Sequence, residues 1–153
     1  MILLEKVETV SKLKENIFLP KESDLYEICA KNIDEVSEKF ELYYHISNEI
    51  WFIKNEMGII GIYGLREENA KIGIPWMLSV EIPTSSKSDF LRVSHRICNE
   101  WKRKYEILYN YTAVQNDISH KWLSFLGFKI LKQDIVEYQN GRQFYKFMWK
   151  RGE

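Results

Sequence analysis

His95 and Cys98 stand three residues apart, a spacing that places two metal-binding side chains on one face of a helix. The chain holds only three histidines (His45, His95, His120) and two cysteines (Cys29, Cys98). No CxxC, HExxH or other ligand cluster completes a site, so the sequence predicts no metal. Ser94 beside His95 pairs a hydroxyl with a base. Adjacent helical residues point about 100° apart, however, and no third member of a nucleophile triad is evident. Arg92, Arg96 and Arg103 fall on one helix face, suited to an anion, an acidic partner or plain solvation. Ser86 and Asp89 have the spacing of a capping-box variant, in which side chains take up the free N–H groups of a helix start. Two cysteines are too few for a disulfide framework, and both read as reduced, half-buried core residues on helices.

The apolar periodicity supplies the elements that carry these residues. Ile2–Val7 reads as a first strand, followed by helical stretches at Thr9–Ile17, Lys21–Ala30 and Ile33–Ile46. Ile50–Lys54 and Ile59–Gly64 form a hairpin across the turn Asn55–Gly58. A second turn, Arg66–Ala70, leads to a strand over Lys71–Val80. Within it Pro75 has no N–H to give a central ladder, which predicts a bulge or local separation. A long helix over 86–104 buries Phe90, Val93, Ile97 and Trp101. After a strand at Ile107–Thr112, Asn116 caps a short helix that turns Ile118, Trp122, Phe125 and Leu126 inward and stops at Gly127. Asn140–Gly141 joins two closing strands, Phe128–Tyr138 and Gln143–Trp149. Trp76, Trp101 and Trp122 lie in apolar contexts and are assigned to packing.

The fold class is therefore α/β (α+β), in the order β-α-α-β-β-β-α-β-α-β-β, with room for a third helix before the first hairpin. That order makes a mixed central sheet of about seven strands with helices on both faces. No repeat or Pro/Gly/Ser-rich linker interrupts the chain, so residues 1–153 read as a single domain. Hydrophobic residues at 45% and aromatics at 14% exclude disorder. With 22 basic and 22 acidic residues, no surplus charge serves a nucleic-acid backbone or an anionic membrane, though a local basic patch stays open. No apolar run approaches the roughly 18 residues of a membrane span. The opening MILLEKVETVSK lacks the pattern of a secretory signal, so the chain is expected to stay where it is made.

Two residue patterns carry a resemblance. The order of elements, joined to the run from Asn116 to Gly127–Phe128, an asparagine eleven residues before a Gly-Phe pair, resembles the Gcn5-related N-acetyltransferase (GNAT) fold. The runs GIPWMLSV, FLRVSHRICNEW and LYNYTAVQNDISHKWLSFLGF are similar to a narrower family, the acyltransferase-like phage proteins related to internal virion protein A of short-tailed phages. Gly73, Pro75, Trp76, Phe90, Arg92, Trp101, Asn110, Asn116, Trp122 and Gly127 carry that likeness, and ESDLYEICA (Glu22–Ala30) is consistent with it.

The resemblance implies an acetyl-CoA site and shows where this chain departs from one. GNAT enzymes cradle the cofactor's pyrophosphate with an RxxGxG/A loop at a helix start, because close backbone approach needs glycine. Here the matching stretch, Glu81 to Phe90, contains no glycine. Asp89 there repels a phosphate, while Lys87 and Arg92 offset it. The usual general acid, a tyrosine seven residues after the late asparagine, is replaced by Leu123. Tyr109 and Tyr111 are substitute acids, and Glu81 is the candidate base. If CoA binds, the backbone at Leu78, Ser79 and Val80 receives its pantetheine arm, with Lys87, Arg92 and Asn116 as further contacts. The expected function is a phage-encoded GNAT-like protein with a degenerate acetyl-CoA site. It would serve as a non-enzymatic virion, assembly or protein-interaction module in the host cytoplasm or the particle, with virion components or itself as partner. The alternative is a divergent acyl-CoA-dependent N-acetyltransferase.

Overall fold

The structure, a computed structural model, describes residues 1–138 and 140–153. Among the described residues seven strands and five helices follow one another as β1 (Leu3–Lys6), α1 (Val10–Glu15), α2 (Glu22–Glu27), α3 (Ile33–Ile46), β2 (Glu49–Asn55), β3 (Gly58–Asn69), β4 (Ile72–Ser79), α4 (Lys87–Lys104), β5 (Ile107–Ala113), α5 (Asp117–Phe125), β6 (Lys129–Glu137) and β7 (Gln143–Lys150). A 3-10 turn, Thr84–Ser86, runs directly into α4. The strands form one sheet in the order β1-β2-β3-β4-β5-β7-β6, mixed because β4 and β5 are parallel while β1–β2, β2–β3, β5–β7 and β6–β7 are antiparallel. Among the described residues no helix is long and apolar enough to cross a membrane.

The chain divides into two compact units. The first comprises Met1–Glu67 and Pro75–Val93. Alternation along its strands sends Ile50, Phe52, Ile62 and Leu78 to one face, where Leu13, Ile28, Val36 and Phe40 of the helical segment join them in a single core. Full burial of each such side chain is worth about 1.5–3 kcal/mol. Thr9 caps α1 by accepting from the Lys12 N–H at 3.1 Å, and Asn32 caps α3 by accepting from the Glu35 N–H at 2.9 Å.

The second unit comprises Glu68–Ile74 and Ser94–Glu153. Its β5–β7 register runs unbroken from Ile107↔Lys150 to Ala113↔Phe144. Among the described residues β4 pairs with β5 at Ile72↔Ile107 and Gly73↔Leu108, and the pairing ends before Pro75, where the missing N–H predicted a separation. Two cations close the helix ends. The Arg151 guanidinium donates to the carbonyls of Lys102, Arg103 and Tyr105 at the end of α4, and the Lys102 ammonium donates to the Leu126 carbonyl at the end of α5.

Four local expectations are corrected. The turn placed at Arg66–Ala70 shrinks to Ala70–Lys71, because β3 continues to Asn69 and the Asn69 side chain accepts from the N–H groups of Lys71 and Ile72. The helix placed at Lys21–Ala30 ends at Glu27. Ala30 N–H reaches the Leu25 carbonyl and Cys29 N–H the Tyr26 carbonyl, a Schellman stop with Cys29 at the left-handed position, φ 58°. Cys29 is therefore exposed and outside the helix rather than a half-buried helical residue. On α5, Ile118 and Phe125 face solvent, 71% and 54% exposed, while Leu123 and Leu126 take the buried positions. A helix starting at Asp117 turns its Leu123–Leu126 side inward, which carries Ile118 and Phe125 out.

Candidate functional site

In the first unit, the candidate site lies at the end of β4 and the start of α4. Val80 N–H bonds to the Ile60 carbonyl of β3, so the main-chain groups of Ser79 point to the opposite edge of β4. The first turn of α2 meets them there. Asp24 Oδ2 accepts from Ser79 N–H at 2.8 Å, the Lys21 N–H donates to the Ser79 carbonyl at 2.9 Å, and Lys21 Nζ donates to Ser79 Oγ at 2.9 Å. Lys21 Nζ also lies 3.6 Å from Asp24 Oδ2. Ser79 is wholly buried and Asp24 is 8% exposed. Burial pushes the Asp24 carboxyl up to about 6, against the pull of the Lys21 charge and the Ser79 amide, with nearby Glu27 adding to the rise. Of the backbone groups expected to receive a pantetheine arm, those of Ser79 and the N–H of Val80 are thus engaged internally. The Leu78 carbonyl packs on Gly61, where a Cβ would stand 3.2 Å from it.

The capping box expected at Ser86 and Asp89 does not form. Pro83, at φ −57°, is the N-cap of the 3-10 turn, so helical geometry begins a turn earlier than Ser86 and has no side-chain cap. Ser86 is buried, and its hydroxyl accepts from the Asn55 amide at 3.2 Å. Asp89 instead pairs with Arg92 at 3.0 Å. That contact neutralises the carboxylate and occupies the arginine. Glu81 and Lys87 are exposed and make no ion pair among the described residues.

In the second unit, β5 and α5 carry the remaining candidates. Tyr109 and Tyr111 are half-buried neighbours on one sheet face, their rings edge to face with centroids 6.3 Å apart. The Tyr109 hydroxyl donates to Glu68 at 2.7 Å, and the Lys146 ammonium sits 4.6 Å over the Tyr109 ring. Asn116 is buried, and its side chain accepts from the Ser119 N–H at 3.2 Å, so it caps α5. Leu123, where the resemblance calls for a phenol, is 4% exposed and part of the core.

His95 is exposed and hydrogen-bonded to Asn99, whereas Cys98 is buried, with its thiol pushed up to about 12 by that burial. The two do not converge, and no group of three or more His, Cys, Asp or Glu placed for a metal occurs among the described residues. Ser94 is buried while His95 faces outward, so these neighbours point apart. Sequence reasoning missed Lys21 and Asp24. Asp24 sits 55 residues from Ser79 along the chain, and no local pattern links the two.

No family model matches the sequence, and no curated protein does either. Solved structures do match over nearly the whole chain. The "IAA acetyltransferase" of Bacillus cereus superposes with a TM-score of 0.64 at 14% identity, covering 98% of this chain and 99% of that one. Spermidine N-acetyltransferase of Vibrio cholerae, in complex with CoA and spermine, gives 0.62 at 14% identity over 98% and 95% of the two chains. A GNAT family acetyltransferase of Elizabethkingia anophelis with acetyl-CoA bound gives 0.64 at 14% identity over 97% of each. With its seven-stranded mixed sheet and this order of helices, the chain has the GNAT acetyltransferase fold.

Proposed function

We propose that this is a GNAT-fold protein whose acetyl-CoA site has been given over to internal contacts, and that it acts as a protein-interaction module. The phage resemblance in its sequence assigns it to virion assembly or to the particle itself. The observation that carries the reading is the Lys21–Asp24–Ser79 contact. It occupies both main-chain groups of Ser79, and a pantetheine arm cannot pair with them while the α2 turn holds them. A buried amide released without a new partner costs about 1–3 kcal/mol, so a ligand has to replace Asp24 rather than merely approach. Leu123 supports the same reading, because an alkyl side chain donates no proton to a leaving thiolate. The residues present therefore do not fit acetyl-CoA at this edge of β4, and no transfer step is assigned to them.

One observation favours the alternative, a divergent acyl-CoA-dependent N-acetyltransferase. The turn at Thr84–Ser86 has no side-chain cap, and free N–H groups at a helix start favour an anion. Thermal unfolding with and without millimolar acetyl-CoA separates the two readings. Ligand at a hundred times its dissociation constant adds about 2.7 kcal/mol. An unchanged midpoint is the expected result, and a clear rise sinks the module reading in favour of the enzyme.

A further inference from the structure

The zero net charge of the chain conceals a division. The first unit holds 10 lysines and arginines against 15 acidic residues, and the second holds 12 against 7, so the units carry −5 and +5. Each also presents charged residues that make no ion pair among the described residues, beside apolar ones that are exposed in the first unit and half-buried in the second.

In the first unit these lie along α3. Asp34, Glu38, Leu42 and Ile46 recur every four residues on its outward side, and Leu42 and Ile46 are 49% and 41% exposed. Asp34 and Glu38 make no ion pair among the described residues. In the second unit they lie on one face of β5–β7–β6. The helices of this unit take the opposite face, as the contacts of Ser119 with Thr112, His120 with Tyr145, Phe128 with Phe147 and Lys102 with Trp149 require. Strand alternation and register therefore gather Tyr109, Tyr111, Lys146, Met148, Leu131 and Lys129 on the face those helices leave. Lys129 and Lys146 make no ion pair among the described residues, and the Glu68 carboxylate on that side is taken by the Tyr109 hydroxyl.

We propose that α3 of one copy docks on the β5–β7–β6 face of a second copy, Asp34 and Glu38 meeting Lys129 and Lys146, with Leu42 and Ile46 on the tyrosine, methionine and leucine side chains. Three strands spaced about 4.8 Å apart present a strip matched to one helix of about 10 Å diameter. The contact is heterologous, each copy using one surface to give and the other to receive, so it propagates into a ring or a filament. A second copy is a better occupant than a nucleic acid. The lysines are matched by a complementary surface on the same chain, and the acidic unit repels a polyanion. The proposal names the partner for the interaction-module reading. It is tested separately from that reading, because acetyl-CoA binding decides the first and self-association the second.

The test is sedimentation velocity on the whole chain, from micromolar to near-millimolar protein, at about 20 mM and about 500 mM salt. Association that grows with concentration at low salt and fades at high salt is expected. The pair Lys129→Glu with Lys146→Glu should be monomeric at low salt, as should Asp34→Lys with Glu38→Lys, and mixing the two variants should restore a complex. Lys104→Glu with Lys121→Glu makes the same charge change on the helices and should leave association intact. A monomer under all conditions overturns the proposal. So does association that survives either reversal, or that the helix control abolishes equally. Binding of a labelled single-stranded oligonucleotide to the Tyr109–Lys146 face of a protein that stays monomeric assigns that face to nucleic acid and also overturns it.

Discussion

The indole of Trp76 fills the space beside Gly64, where a Cβ would stand 2.6 Å from its Cζ2 and 2.7 Å from its Nε1. Trp76 is held there by a hydrogen bond from Nε1 to Ser47 Oγ at 2.9 Å and by the Tyr43 ring, centroids 5.0 Å apart. Its packing is thus against α3 and its C-cap. Gly64 → Ala is expected to destabilise by about 1–3 kcal/mol through overpacking, read as a lower denaturant midpoint at unchanged slope. Because Gly64 does not have a positive φ, the loss should shrink when Trp76 → Phe is added. Equal losses in both backgrounds would show that the indole is not the cause.

Asp24 makes stability depend on pH in a defined direction. Its carboxyl ionises near 3.8 when unfolded and at about 6 when folded. Below about pH 4 both states hold the proton. Between about pH 4 and pH 6 the unfolded chain releases it first, so stability is lost as pH rises and the loss levels off above the folded value. The shift corresponds to roughly 3 kcal/mol. Urea unfolding of wild type and Asp24 → Asn across this range should show their difference changing by that order, with the variant lacking the slope. Parallel profiles would remove Asp24 as the source.

Asn116 separates a structural role from a cofactor role. As the cap of α5 it should tolerate Asp or Ser, while Asn116 → Ala costs about 1 kcal/mol. Thermal melts of the three variants decide it. Equal stability of Ala and Asp at this position would contradict the capping role.

Leu123 → Tyr restores the phenol that the resemblance calls for, but places it in a position only 4% exposed. Overpacking should cost about 1–3 kcal/mol, and assay with acetyl-CoA and an amine should register no gain in transfer. A measurable gain would mean that the site lacks only its acid.

Much of the architecture was legible because it rests on local repeats. The stripe Val36–Phe40 and the alternation in Ile50–Phe52 set α3 and β2, and Pro75 marked where the β4–β5 ladder ends. The errors fell where another contact or the packing of the helix overrode the spacing rule. Ser86 and Asp89 have capping spacing, yet Asn55 takes Ser86 and Arg92 takes Asp89. Ile118 and Phe125 fit an apolar stripe, but the buried side of α5 is set by Leu123 and Leu126.

By itself the sequence determined the order of elements, the glycine-free stretch before α4 and the alkyl side chain at position 123. These are properties of residue type and short spacing. Only the tertiary structure decided that Lys21 and Asp24 close the edge of β4 at Ser79, that Trp76 rests on Gly64, and that Tyr109 is bound to Glu68. Each of those contacts joins groups brought together by the path of the chain. Periodicity records which side of an element is apolar, and it carries no information about which distant polar group will satisfy a buried one.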